Sequence, residues 1–186
     1  MPQKREMMRI IAGKYKRRLI YWPEDPNIRP TKDRIREAIF AALGDIEGKV
    51  FLDLYAGSGS MGLEAISRGA KKVYFVDRGV PAIKCIKENI NVLDIKEDYE
   101  LLKMSDKEAL NKFKDNKIEF DIIFLDPPYE DGQYEEVIEF ILNNDLISSY
   151  GIIIAESDHQ LLIQNERINR TKEYKYGDIL VTFYGV

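Results

Sequence analysis

Two stretches of this chain hold residue types that could do chemistry together. Asp126-Pro127-Pro128-Tyr129 follows the apolar run Phe120–Leu125, and a glycine-rich segment running from Asp53 to Gly62 follows the apolar run Val50–Leu54. A carboxylate beside a proline carbonyl offers two hydrogen-bond acceptors on a stiff loop. That pair suits a planar amino group whose nitrogen lone pair is delocalised into a base. Accepting both N–H bonds favours a pyramidal nitrogen and aims its lone pair at an electrophilic methyl sulfonium, so positioning and electrostatics carry most of the rate. In this reading Asp126 gives the carboxylate, Pro127 the carbonyl, Pro128 further stiffness, and Tyr129 a ring on which an extruded base stacks. The plainer alternative is a proline turn closed by a tyrosine.

The upstream segment reads Asp53-Leu-Tyr55-Ala56-Gly57-Ser58-Gly59-Ser-Met-Gly62. Glycines between a strand and a helix let the backbone approach a ligand, and the helix start offers free N–H groups. The spacing matches G-x-G-x-x-G, which first suggests a dinucleotide. Asp53 argues otherwise, because a carboxylate before the glycines repels a pyrophosphate and receives an ammonium. Asp77, after the next apolar run, is placed to accept hydrogen bonds from ribose hydroxyls. S-adenosylmethionine carries both groups.

The elements that would position these residues alternate. Apolar runs at Val50–Leu54, Val73–Val76, Tyr99–Lys103, Phe120–Leu125 and Gly151–Ala155 predict strands. Helices are expected to about Arg68, over Ala82–Leu93, after the capping-box pair Ser105 and Glu108, and over Tyr134–Asn143. Near-continuous apolar strands separated by helices predict a parallel sheet covered on both faces. Arg170–Tyr176 and Ile179–Tyr184 flank Gly177-Asp178 and read as a closing antiparallel hairpin. This is the outline of an α/β, Rossmann-like domain. Ahead of it, residues 9–21 read as two short strands joined by a basic turn containing Gly13. Residues 22–30 read as a proline-rich connector, and residues 32–43 as a helix capped by Thr31 and stopped at Gly44. The division expected is a basic arm over 1–30 and a catalytic domain over 31–186.

Charge separates along the same boundary. Residues 1–36 hold 11 Lys and Arg against 4 Asp and Glu, net +7, while the remaining 150 hold 17 against 28, net −11. Such asymmetry suggests a basic arm that meets a polyanion. Arg9, Lys14, Lys16, Arg17 and Arg18, interleaved with Tyr15 and Tyr21, fit a phosphate-binding hairpin with aromatic contacts. No apolar run reaches the roughly 20 residues of a membrane-spanning helix, and the opening MPQKREMM lacks a signal peptide's apolar core. One cysteine, Cys85, leaves no internal disulfide and suits the cytoplasm; one cysteine and one histidine make a zinc site, and any catalytic metal, unexpected.

The chain resembles the Asp/Asn-Pro-Pro-Tyr amino-methyltransferases, and among them the bacterial 16S ribosomal RNA guanine-N2 methyltransferases of the RsmD type. The resemblance runs from RIIAGKYKRRLI through RPTKDRIREAIF, FLDLYAGSGSMGLEA and FLDPPY to YGDILVTFY, nearly the whole chain. It implies a class I methyltransferase fold with a mostly parallel seven-stranded sheet, S-adenosylmethionine as donor, and a guanine of 16S rRNA, in a small-subunit particle, as acceptor. It further implies that Asp53, Tyr55, Ala56, Gly57, Ser58, Gly59 and Gly62 line the methionine and ribose side of the cofactor. Asp77 and Arg78 would hold the ribose, and Ser105 and Asp106 would meet the adenine. Asp126 to Tyr129 would hold the amine. Arg29, Thr31 and Arg34 would close over the methionine carboxylate or an RNA phosphate.

The remaining residues read more plainly. Trp22 and Cys85 are expected to pack, His159 to sit on a surface loop, and Arg36 to be an exposed charge paired with Asp33 or Glu37. Glu156 is a weak site candidate at a strand end. Nothing resembles a dedicated dimer helix, so a monomer is expected. Rival readings are an adenine-N6 methyltransferase acting on DNA or RNA, an enzyme methylating a protein glutamine amide, and a non-catalytic RNA-binding module.

Overall fold

The computed structural model describes residues 7–23, 33–128 and 133–186. Two short strands open it, β1 (Met7–Arg9) and β2 (Leu19–Tyr21), followed by helix α1 (Asp33–Leu43). The alternating unit then runs β3 (Val50–Leu54), α2 (Ser60–Ser67), β4 (Lys72–Asp77), α3 (Val80–Leu93), β5 (Asp98–Lys103), α4 (Asp106–Asp115), β6 (Phe120–Leu125) and α5 (Tyr134–Asn143). It closes with β7 (Ile147–Ser157), β8 (Arg170–Tyr176) and β9 (Ile179–Gly185). The main sheet has seven strands in the order β5-β4-β3-β6-β7-β9-β8. Pairings among β3 to β7 are parallel, while β9 runs antiparallel to both β7 and β8.

The sheet separates two apolar layers. One holds the inner faces of α1, α2 and α3, with Ile35, Ile39, Leu63, Ile66, Ile86 and Ile90 against Phe51 and Phe75. The other holds α4 and α5, where Phe113, Phe120 and Tyr74 meet edge to face at centroid separations of 5.0–5.4 Å. Strands buried on both sides explain why β3 and β6 are apolar along nearly their whole length.

Element limits differ from the sequence reading where the backbone departs from regularity. Strand β7 begins at Ile147, four residues early, because the β6–β7 register shifts between Phe120 and Ile122 and Tyr150 takes a positive φ of 68°. A bulge of this kind hides a strand from alternation. Helix α3 begins at Val80 with Pro81 in its first turn, where a missing N–H costs nothing. The expected capping box is present: Ser105 Oγ accepts the Glu108 N–H while Glu108 accepts from the Ser105 N–H. The expected Thr31 cap lies outside the described residues.

The arm is docked on α2 and α3. Met8, Ile10, Tyr15, Ile20 and Trp22 belong to the same buried layer as α1 and α2. Gly13 sits so close to the end of α2 that a Cβ there would lie 1.8 Å from the Ser67 carbonyl oxygen, which explains the glycine. The anchor is Glu64, fully buried on α2. Its carboxylate accepts the Ile11 N–H at 2.8 Å, the Ala12 N–H at 3.0 Å and Arg68 Nε at 2.8 Å, with Arg36 Nε at 3.7 Å.

Arg36 corrects the sequence reading. It pairs with Asp33 at 3.0 Å as one alternative had it, yet it is fully buried rather than exposed, and it also donates to the Arg9 carbonyl and to Met8 Sδ. Burial lowers its pKa, against which Asp33 and then Glu64 act. Helical spacing marked Ile35, Ile39 and Leu43 as the inner face but could not show that the arm would cover the flank carrying Arg36.

Removing one partner of a buried charge network strands the others. Glu64→Ala should lower stability by about 3–5 kcal/mol in urea unfolding and open residues 10–22 to limited proteolysis. A loss below about 1 kcal/mol with an intact arm would show that Glu64 is not the anchor.

Candidate active site

Chain order reverses direction between β3 and β6, and their carboxyl ends form the switch-point crevice where ligands bind in open α/β sheets. Asp53 pairs in register with Phe124 and Leu54 with Leu125, so the turn after β3 stands beside the motif after β6. The two sequence motifs, some seventy residues apart, share one edge of the sheet.

Asp53 is buried and its Oδ2 accepts the Gly62 N–H at 2.9 Å. Burial pushes its pKa up to about 8; the Gly62 bond opposes the shift and the nearby Asp77 adds to it. Gly62 itself packs rather than opens space, since a Cβ there would meet the Phe75 ring at 2.2 Å. Between them the chain turns through positive φ at Tyr55 (70°), Gly57 (55°) and Gly59 (75°). Ala56 donates to the Val76 carbonyl, and Ser58 is buried with its carbonyl accepting from Asn89 Nδ2 at 3.2 Å.

Asp77 ends β4 with both oxygens engaged by backbone, Oδ2 by the Gly57 N–H at 2.9 Å and Oδ1 by the Gly79 N–H at 2.7 Å. That fixes the carboxylate and leaves lone pairs for hydroxyl donors. Arg78 follows it, exposed. Tyr55 Oη donates to Asp106 Oδ2 at 2.8 Å, spanning from the end of β3 to the start of α4. Ser105 is occupied by its capping role.

On the other side of the crevice, Asp126 is half-buried, Pro127 buried and Pro128 exposed. Desolvation raises the Asp126 pKa well above the carboxylate range, and Glu156 and then Asp53 add to the shift. Glu156, buried near the end of β7, accepts the Tyr134 hydroxyl on its carbonyl at 2.6 Å. The weak candidate Glu156 therefore belongs to the site's electrostatics. Tyr129, Arg29 and Thr31 lie outside the described residues.

The basic arm does not line this crevice. Lys14 and Tyr15 bond to Ser67 at the end of α2, Arg18 donates to the Val92 carbonyl near the end of α3, and Lys14 and the Tyr15 hydroxyl both reach Glu97 just before β5. These lie at the amino edge of the strands, about 20 Å from the site by the length of α3. Tyr15 is buried, so its ring packs instead of stacking on a base. Arg9, Lys16 and Arg17 are exposed on the arm, and Arg34 is exposed on the first turn of α1.

Comparison with known proteins gives these contacts a lineage. A family profile described as conserved hypothetical protein 95 matches residues 8–185. The chain belongs to this family. Ribosomal RNA small subunit methyltransferase D of Haemophilus influenzae is 33% identical over 186 residues, covering 98% of this chain and 96% of its own. The structure of a hypothetical protein of Thermus thermophilus superposes with a TM-score of 0.82 at 26% identity, covering 96% of this chain and 99% of that one. The T. thermophilus 16S rRNA N2 G1207 methyltransferase RsmC, solved with AdoMet and guanosine, gives a TM-score of 0.70 at 18% identity, covering 98% of this chain and half of that one. That last likeness concerns the fold alone, which is Rossmann-like and of the methyltransferase kind.

Within this conserved hypothetical protein 95 fold, the residues present fit S-adenosylmethionine. Asp126 feels both Glu156 and Asp53, and a sulfonium and an ammonium would offset the charge these carboxyls take on when ionised. Asp77, held by two backbone N–H groups, keeps lone pairs that hydroxyl donors such as those of a ribose could use. Among the described residues, no three His, Cys, Asp or Glu side chains are grouped as a metal ion would need.

The sequence reading passed over Asn89. Its amide accepts the Tyr21 N–H at 2.6 Å and donates to the carbonyls of Tyr21 and Ser58, tying the arm to the glycine turn. The available signal was a polar residue on the apolar face of α3, one turn from Cys85.

Between an unfolded value near 4 and about 8, Asp53 holds its proton longer in the folded protein than in the unfolded chain. Stability of the ligand-free protein should therefore fall as pH rises through that window, by at most about 1.4 kcal/mol per unit. Asp53→Asn keeps an oxygen for the Gly62 N–H, so its advantage over the parent in urea unfolding should grow from pH 5 to 8. Parallel pH curves for the two would contradict the assignment.

Proposed function

We propose that this protein is an S-adenosylmethionine-dependent methyltransferase that methylates the exocyclic N2 of a guanine in 16S rRNA of the small ribosomal subunit. The observation that carries the reading is the placement of Asp126 and Pro127 beside Asp53 at the β3–β6 switch point. Near-full-length similarity to ribosomal RNA small subunit methyltransferase D supports the substrate. Adenine-N6, glutamine-amide and non-catalytic readings have no comparable support.

The chain's residues divide the work. Asp53 faces the cationic end of the cofactor and Asp77 its ribose, while Tyr55 and Asp106 form the wall at the adenine side. Asp126 and the Pro127 carbonyl accept the two N–H bonds of the amine, directing its lone pair into the crevice. When bound, S-adenosylmethionine supplies a methyl group made electrophilic by its sulfonium. With its hydrogens held by Asp126 and the Pro127 carbonyl, the amine nitrogen would accept that methyl group in exchange for one proton, with a neutral thioether as the leaving group. The Asp126 carboxylate can take that proton, because burial and Glu156 raise its proton affinity. A folded site of this kind needs Tyr129 for stacking and Arg29, Thr31 and Arg34 for closure over phosphate or carboxylate. Arg9, Lys16, Arg17 and Arg18 extend the RNA footprint along the arm. The protein acts as a cytoplasmic monomer; among the described residues no helix is long and apolar enough to cross a membrane.

Labelled methyl transfer to unmodified small-subunit particles, followed by nucleoside analysis, should yield N2-methylguanosine at one site. Label on another base would overturn the substrate assignment. Asp126→Ala should abolish turnover while leaving the protein folded, with any loss of cofactor affinity small beside the loss of kcat. Because Asp126 must be ionised to accept its N–H bond and later the proton, kcat/KM for the cofactor should rise with pH through an ionisation above the ordinary carboxylate range. At saturating cofactor the ionisation should move down, since added positive charge favours the carboxylate. A flat profile in both would remove Asp126 from this role.

A further inference from the structure

The edge strand β8 sorts its side chains by face. Lys172 pairs with Phe183 and Tyr174 with Val181, so Arg170, Lys172, Tyr174 and Tyr176 share the face that carries the apolar layer of α1 and α2. Thr171, Glu173 and Lys175 take the other face, paired with Tyr184, Thr182 and Leu180. The first face is therefore cationic and aromatic with no acid in it. Arg170, Lys172 and Tyr174 are exposed, and Tyr174 packs edge-on against Phe183 with centroids 5.7 Å apart, which holds the ring in place. Among the described residues, neither Arg170 nor Lys172 is tied up in an ion pair, unlike Lys72 and Lys112 on and behind the opposite edge of the sheet, though Lys175 on the other face of β8 is likewise unpaired.

Position adds to composition. The strand order places β8 three neighbours from β6, about 14 Å across the sheet at normal strand spacing. It lies on the side of Asp126 away from Asp77 and Asp106, where the acceptor and not the cofactor must enter. By register Tyr174 lies level with Glu156 at the site end, Lys172 level with Ile154, and Arg170 level with Ile152 toward the amino end, while the basic turn of the arm lies toward the opposite, β5 edge.

Lysines on an edge strand also discourage strand-to-strand aggregation. That role is indifferent to face and gives no reason for two tyrosines to follow the two cations on one face. Cations beside ring faces instead match the chemistry that tracks a single-stranded nucleic-acid backbone and stacks its bases.

We propose that the Arg170–Lys172–Tyr174 face of β8 is a second RNA-binding surface, holding the strand that flanks the target nucleotide. The proposal rests on the reading of rRNA as substrate. Its test compares Lys172→Glu with Lys175→Glu, the same charge change on opposite faces of one strand, for methylation of small-subunit particles and for binding of a 16S rRNA fragment across a salt series. Lys172→Glu should raise KM for RNA roughly tenfold and shrink the log-log salt slope by about 1, with kcat and cofactor affinity unchanged. Lys175→Glu should leave the slope near that of the parent. Tyr174→Ala should weaken fragment binding roughly tenfold without changing the slope. Equal effects of the two lysine variants, or none from either, would overturn the surface while the parent still methylates rRNA. A parent that neither binds nor methylates RNA would remove the functional reading and this surface together.

Discussion

The parallel pairing of β3 with β6 is the constraint on which the rest depends. It brings Asp53 near Asp126, which lies two positions beyond Phe124, the register partner of Asp53, at the carboxyl end of strands buried on both faces, with Glu156 added from β7. Like charges in a poorly solvated place cannot all ionise, so the ligand-free site holds protons that ordinary carboxyls would have lost. The same arrangement makes it receptive to a cation and to amine hydrogens. A site built for binding thus works against stability, and the apolar layers on either side of the sheet must supply the difference.

A second buried charge group answers a different need. Glu64 lies one turn into α2, the helix that starts at the glycine turn, and it holds the arm backbone, Arg68 and Arg36. Through it α1, α2 and the arm form one unit, and Asn89 links that unit to Ser58 on the cofactor side. The arm's position and the shape of the glycine turn are therefore coupled. A shift at the arm would be felt by the backbone around Ser58.

This coupling changes the meaning of the arm's basic residues. Lys14 and Arg18 are carried at the far end of α2 and α3, so in the proposed reading they would meet distant RNA phosphates rather than the reacting base. Tyr15 illustrates the point: its spacing among cations suggested stacking, yet the ring is buried and its hydroxyl faces Glu97. In the reading proposed above, contact near the acceptor falls instead to the elements on the β7-β9-β8 side.

The sequence by itself determined the alternation of elements, the limits of β3, β6 and α5, the Ser105 capping box and the two motifs. These follow from local periodicity and from residue types whose chemistry is narrow, such as a carboxylate held against two prolines. Tertiary structure alone decided that Arg36 is buried, that Glu64 anchors the arm, that Glu156 presses on Asp126, and that the basic turn stands far from the crevice. Each of these depends on partners some 20 to more than 50 residues away in the chain, and no local pattern encodes which distant surface will cover a given flank. The β7 bulge was hidden for a related reason, since one extra residue breaks the alternation by which strands are read.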